Sequence, residues 1–114
     1  MNSENKQMYD SAVDNLLKGI GDNYANWSSS NIDRVDKFRA NLKINSGRKF
    51  DKVIEKNRVL GFIAKTDGVH KGVPYNVGDV FKAAGWSAPA KWQRGSIFDS
   101  NQKWFQWTGP NYLI

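Results

Sequence analysis

Between Gly85 and Asp99, in the stretch GWSAPAKWQRGSIFD, tryptophans and cations are interleaved: Trp86, Lys91, Trp92 and Arg94, with no acid before the final residue. An indole offers a flat π face, and an ammonium or guanidinium offers a mobile positive charge. The combination suits two kinds of partner. Unpaired bases stack on aromatic rings while their phosphates meet the cations. Trp and Arg are also the usual anchors of protein–protein contacts. Trp104, in KWFQW, and Arg48 and Lys49, in GRKFDK, extend the set. The candidate binding residues are therefore Arg48, Lys49, Trp86, Lys91, Trp92, Arg94 and Trp104. The competing use of Trp86, Trp92 and Trp104 is structural, as half-wet rings covering the mouth of a small core.

Other chemistry finds less support. Cysteine is absent and His70 is the one histidine, set among turn residues, so neither a thiol nucleophile nor a serine–histidine pair is expected. The acids of the C-terminal half stand singly, which does not resemble a metal site. DGVHKGV and GVPYNVG lack the GxxxxGK[ST] phosphate-loop pattern. The expectation is a non-enzymatic protein without metal or cofactor.

Charge is unevenly placed. Residues 1–46 carry six cations and six acids, whereas residues 47–114 carry eleven cations against five acids, which accounts for the whole net charge of +6. A basic half joined to a neutral half points to an anionic partner for the basic half. The apolar and aromatic content, 39% and 13%, is enough to build a core in a chain of 114 residues. No run of about eighteen apolar residues occurs, and MNSENKQMYD lacks a signal-like apolar segment. A cytoplasmic protein with no membrane contact is expected, as a monomer or small homo-oligomer.

The elements that must hold these side chains follow from periodicity. Met8, Tyr9, Ala12, Val13, Leu16, Leu17 and Ile20 form one helical stripe. That predicts a helix over 4–18, capped by Ser3 and ended by the glycines of KGIGD. Residues 22–29 are expected as a connector, with Tyr24 and Trp27 as lids on the core. A second helix is expected over 31–43, capped by Ser30, with Ile32, Val35, Phe38 and Leu42 on one face. From Arg48 the period changes. KFDKVIEK and RVLGFIAKT read as an antiparallel hairpin turning near Asn57. In the first of these, Lys52 and Lys56 share parity with Phe50 and Ile54, which suggests a bulge or an edge position. Residues 67–79 read as a long loop, with Gly78 and Asp79 turning into a strand DVFKAA, and residues 85–99 as irregular. GSIFD and KWFQWTG suggest a second hairpin around Asp99–Gln102, and PNYLI a closing edge strand. In KWFQW, alternation sends Phe105 and Trp107 inward and Trp104 outward with Gln106. The chain is thus expected to be one α+β domain over residues 1–114. A helical segment, 1–46, packs on a basic segment, 47–114, folded as a five-stranded antiparallel sheet or an SH3-like barrel.

NVGDVFKAAGWSAPAKWQRGSIFD followed by WFQWTGPNYL resembles small accessory proteins of tailed bacteriophages. The residues that carry the resemblance are Gly78, Asp79, Lys82, Ala83, Trp86, Pro89, Ala90, Lys91, Arg94, Gly95, Ile97, Phe98, Asp99, Trp107, Thr108 and Gly109. It covers roughly residues 58–113 and implies a setting, the cytoplasm of an infected bacterium, rather than a mechanism. Within the motif, Asp99 is expected either to pair with Arg94 as a clasp or to cap the next turn, leaving Lys91 and Trp92 to face outward. The expected function is a basic module of host takeover that contacts nucleic acid. The alternative is an inhibitor or modulator gripping a host protein such as a polymerase, nuclease or defence component.

Overall fold

Tyr9, Val13, Leu16, Ile20 and Tyr24 recur every three or four residues and all are buried, so their stripe continues past both glycines of KGIGD. In the computed structural model, which describes residues 3–27, 32–99, 105–106 and 109–110, helix α1 accordingly runs unbroken over Ser3–Trp27. The expected end near residue 18 and the connector at 22–29 are both corrected. Each helical glycine costs about 1 kcal/mol relative to alanine. Burying Ile20 and the Tyr24 ring outweighs that, at roughly 1.5–3 kcal/mol for a fully buried large apolar side chain. Gly21 also has a use. A Cβ there would run into the Arg39 guanidinium, which crosses from helix α2 (Ile32–Asn41) to pair with Asp22 at 2.8 Å. Just beyond, Tyr24 and Phe38 stack at 4.2 Å and close the helix pair. Trp27 is not a lid: it is 61% exposed. The expected caps Ser30 and Ser3 differ in outcome: Ser30 lies outside the described residues, and Ser3 is the first residue of α1.

The second helix ends at Asn41, and Leu42–Ser46 form strand β1, an element the sequence reading assigned to helix and turn. Strands β2 (Phe50–Glu55) and β3 (Arg58–Ala64) form the expected hairpin, turning at Lys56–Asn57. The stretch expected as a long loop holds a small hairpin of its own, β4 (Gly68–His70) and β5 (Val73–Tyr75), with positive φ at both turn residues, Lys71 and Gly72. Strand β6 spans Asp79–Ala83 and β7 spans Pro89–Ser96, so most of the stretch expected to be irregular is a strand paired with β6. Among the described residues, no pairing links GSIFD with KWFQWTG. Residues 97–98 are a turn, and β8 (Phe105–Gln106) pairs instead with β9 (Gly109–Pro110). Most of PNYLI, like Trp104 and Trp107, lies outside the described residues.

The main sheet has the order β1-β2-β3-β6-β7, antiparallel throughout, with both helices packed against it. It is open, with β1 and β7 as its two edges. The barrel alternative is therefore incorrect. Closure needs strands that continue the ladder around, and here β4–β5 and β8–β9 leave the sheet as separate two-stranded pieces.

The helix-side core joins the α1 stripe and Phe38 to Val53, Leu60, Ile63, Val80, Ile97 and Phe105. A second cluster of Phe62, Ala64, Tyr75 and Phe81 is backed by Phe50, Val59 and Ala83. Strand β3 feeds both clusters by alternation, Ile63 to the helix side and Phe62 and Ala64 to the other, and carries a register shift opposite Val53/Ile54, where Val53 pairs Gly61 and Ile54 pairs Val59. Leu60 is the extra residue, and the phase of β3 reverses there. Gly61 is required at the shift, since a Cβ would meet the Phe81 carbonyl at 2.9 Å and the Phe105 ring at 3.3 Å. The parity of Lys52 and Lys56 suggests a bulge or an edge position in their own strand; β2 instead alternates without a break and is an inner strand, and the extra residue lies across from it on β3.

Two carboxylates of β2 are buried, Asp51 and Glu55. The Tyr9 hydroxyl donates to Asp51 Oδ2 at 2.7 Å, while Lys65 Nζ stands 3.9 Å from Oδ1. Arg58 donates from Nε and Nη2 to one oxygen of Glu55, at 3.0 and 2.8 Å. Burial, reinforced by the adjacent Asp51 carboxylate, pushes the Tyr9 phenol well above its ordinary range. Tyr9→Phe removes the hydrogen bond to a buried carboxylate. It is expected to lower unfolding free energy by roughly 1–3 kcal/mol, read from urea denaturation at unchanged m-value.

Candidate functional site

The alternation of FDKVIE decides which charges reach solvent on the sheet. Asp51, Val53 and Glu55 are buried, while Phe50, Lys52 and Ile54 take the opposite parity, on the face away from the helices. On β1, Leu42 and Ile44 pack toward the helices, so Lys43 and Asn45 share the other face, registered against Ile54 and Lys52. One end of this free face is occupied. The β4–β5 hairpin brings Tyr75 and His70 over Phe50 and Phe81, with ring centroids 5.3–6.1 Å apart. His70 Nε2 lies 3.0 Å from the Pro89 carbonyl, which can only accept, so Nε2 carries the proton. This histidine is a half-buried tie between hairpin and β7.

The other end is open. The turn between β6 and β7 is closed by Ala84 N–H to the Ala88 carbonyl at 2.9 Å and places Trp86 near its apex, 53% exposed. Lys52 Nζ sits 4.6 Å from the Trp86 ring centroid and 5.8 Å from that of Phe62. Such a contact is worth about 0.5–2 kcal/mol and fixes the indole over β2. Beside it lies a depression of about 650 Å³ lined by Lys43, Asn45, Ile54, Lys56, Asn57 and Trp86 among others, with no carboxylate in its wall. Lys43 and Lys56 have no side-chain partner among the described residues. The arrangement presents an aromatic face, three ammonium groups and two amides on one surface.

The remaining sequence-derived candidates are distributed differently. Arg48 and Lys49 are exposed in the β1–β2 turn, at the other end of β2 from Lys56, roughly 20 Å along the strand. Lys91 and Trp92 lie on edge strand β7, both exposed, with Lys91 Nζ 5.1 Å from the Trp92 ring centroid. Strand order puts β7 three places from β2, roughly 14 Å of backbone spacing. Arg94, further along β7, is half-buried, and Trp104 lies outside the described residues. Asp99 closes the turn that precedes it and not the next one, its Oδ2 accepting the Ser96 N–H at 3.0 Å. The structure thus groups Trp86 with Lys43, Lys52 and Lys56, and pairs Trp92 with Lys91 at the far edge. Lys43 was missed as a site residue because it was assigned to a helix. The signal for Lys52 and Lys56 was present in the parity of FDKVIEK.

Asp79, the first residue of β6, links β6 to β7 at the end of the sheet away from the β2–β3 tip. Its carboxylate accepts the Asn76 N–H at 2.9 Å and Gln93 Nε2 at 3.0 Å. With the positive φ of Gly78, this forms the turn expected before β6. Among the described residues, no three His, Cys, Asp or Glu side chains are grouped to hold a metal ion, and no helix is long and apolar enough to cross a membrane.

The fold and the open surface define an α+β domain: two helices on one face of an open antiparallel sheet, and a basic, tryptophan-bearing free face. The chain belongs to a family of unknown function, DUF7717, whose model matches residues 2–113. No curated protein and no solved structure matches it significantly.

Burial holds the Asp79 carboxyl above the ordinary carboxylate range, although both hydrogen bonds oppose that. The neutral acid is thus favoured in the fold, and this group's contribution to stability declines as pH rises above about 4 through the raised folded value. Asn at this position keeps an acceptor for Asn76 and can pair a turned-over Gln93 amide. Asp79→Asn is expected to gain stability relative to wild type between pH 4 and pH 7, measured by urea midpoints across that range.

Proposed function

We propose that this protein binds nucleic acid through the helix-free face of its sheet. The Trp86 ring stacks an unpaired base, and Lys43, Lys52 and Lys56 meet the phosphates. The observation that carries this reading is the exposed Trp86 indole held by Lys52 over a depression whose wall contains lysines and amides but no acid. A protein that only needed to shield its core would have no reason to exclude carboxylates there. A polyanion ligand requires it, because each like charge at the surface opposes binding. Arg48 and Lys49, roughly 20 Å along β2, and Lys91 with Trp92, roughly 14 Å across the sheet, add positive charge apart from this surface. The resemblance to tailed-phage accessory proteins supports action inside an infected bacterial cell.

The test is fluorescence anisotropy with a labelled mixed-sequence oligonucleotide over about 50–200 mM salt. Binding is expected to weaken steeply with salt. Trp86→Ala should cost about 5- to 150-fold, the equivalent of 1–3 kcal/mol for one stacked base. Lys43→Ala and Lys56→Ala should each lower the logarithmic salt slope by about 0.7. Absence of saturable binding at the lowest salt, or affinity untouched by Trp86→Ala, would contradict the proposal.

A further inference from the structure

A second aromatic and basic depression lies on the helix side of the sheet, and Lys56 belongs to both. This cleft, about 620 Å³, is lined by Arg34 and Lys37 of α2, by Lys56 of the β2–β3 turn and Arg58 at the start of β3, and by Tyr24 and Phe38 at its floor. Its acids are Asp33 and Glu55. Glu55 is already engaged by Arg58 through two donors, so the cleft keeps a positive balance. Lys37 is exposed and has no side-chain partner among the described residues. Trp27 stands next to the cleft, 61% exposed, its ring centroid 5.8 Å from that of Tyr24.

Two surfaces of the same chemistry therefore meet at the tip of one hairpin. Trp86 with Lys43 and Lys52 lies on the free face, and Trp27 with Arg34 and Lys37 lies on the helix side. Lys56, at a positive φ of 55° in the tip, lines both. Resting on the nucleic-acid reading above, we infer that one single strand occupies both depressions, crossing the β2–β3 turn at Lys56 and stacking a second base beside Trp27. The ligand must then reverse its course around a hairpin tip, on a molecule whose longest dimension is 44 Å. Duplex DNA has a persistence length of about 500 Å and does not make that turn. A single strand does, and its unpaired bases reach both rings. The required ligand is a single-stranded polynucleotide long enough to span both sites, without demand for a particular sequence.

The experiment compares thymidine and uridine oligomers of about four and about twelve nucleotides, with a duplex of the longer length, by anisotropy on the full chain. Trp27→Ala and Lys37→Ala are each expected to weaken the longer oligomers by about fivefold or more and to leave the short ones unchanged. Trp86→Ala should weaken both lengths, and the duplex should bind at least about tenfold more weakly than the single strand. Lys37 is solvent-exposed on α2, so its variant reports binding without a folding defect. If Trp27→Ala and Lys37→Ala leave the long oligomers unaffected while Trp86→Ala weakens them, the two-site path is wrong and the free-face reading stands. Equal loss for short and long oligomers, or equal affinity for duplex, also overturns the path. Wild-type protein that binds no oligomer overturns both. Parallel results with thymidine and uridine oligomers assign the ligand to single strands in general, and a preference for one is assigned to the sugar or to the C5-methyl by a deoxyuridine oligomer of the same length.

Discussion

The hydrogen bond from Tyr9 to Asp51 fixes which way β2 faces. Side chains in a strand alternate with period two, so a slip of one residue would exchange its two faces. In the observed register Asp51 and Glu55 lie buried, one held by Tyr9 and the other by Arg58, and Lys52 points the opposite way. The slipped register would bury Lys52 and expose both acids beside Trp86. A buried carboxylate bound to a phenol on α1 therefore determines the sign of charge on a surface it does not touch. The same bond ties the first turns of α1 to the strand between β1 and β3, so helix docking and sheet register are set together.

A second constraint follows from the two helices of the described residues. They cover one face of the five-stranded sheet, and the other must manage its own apolar residues. It does so by halves. The β4–β5 hairpin folds Tyr75 and His70 over Phe50 and Phe81 at one end. At the other end the lid is a single indole, held by a lysine rather than by packing. A cation sandwiched between Phe62 and Trp86 keeps that end wet, positive and accessible. On the proposed reading this is where a single strand binds, since stacking and phosphate neutralisation are offered within one depression.

Much of the architecture was legible in the sequence. The β2–β3 hairpin followed from a dense Val, Ile and Phe pattern, and α1 followed from its stripe. Phe105 was placed inward by alternation and is buried. The errors have physical causes. Glycines at 19 and 21 suggested a helix end, but the burial of Ile20 and Tyr24 and the close approach of Arg39 decide otherwise. Strand β1 has only two apolar residues, and they face the helices as they would in a helix continuing from α2. Strand β7 begins with Pro89 and displays polar residues, because it is an edge. The barrel was inferred by counting strands, whereas two of the short ladders stand apart from the sheet. The candidate site was half legible. Trp86 and the basic bias were visible, but the partner of Trp86 is Lys52, far away in the chain, and only the strand order, which sets β2 and β6 on either side of β3, brings them together.

The most direct measurement is a two-dimensional amide NMR titration of the uniformly labelled protein with an unlabelled single-stranded oligonucleotide. The account predicts that the largest shift changes fall at 43–45, 52–57 and 85–87, on the free face and the hairpin tip. The exposed side of α1 around 6–18 should stay unchanged. Changes concentrated on α1 around 6–18, or a spectrum unaltered by excess oligonucleotide at low salt, would contradict it.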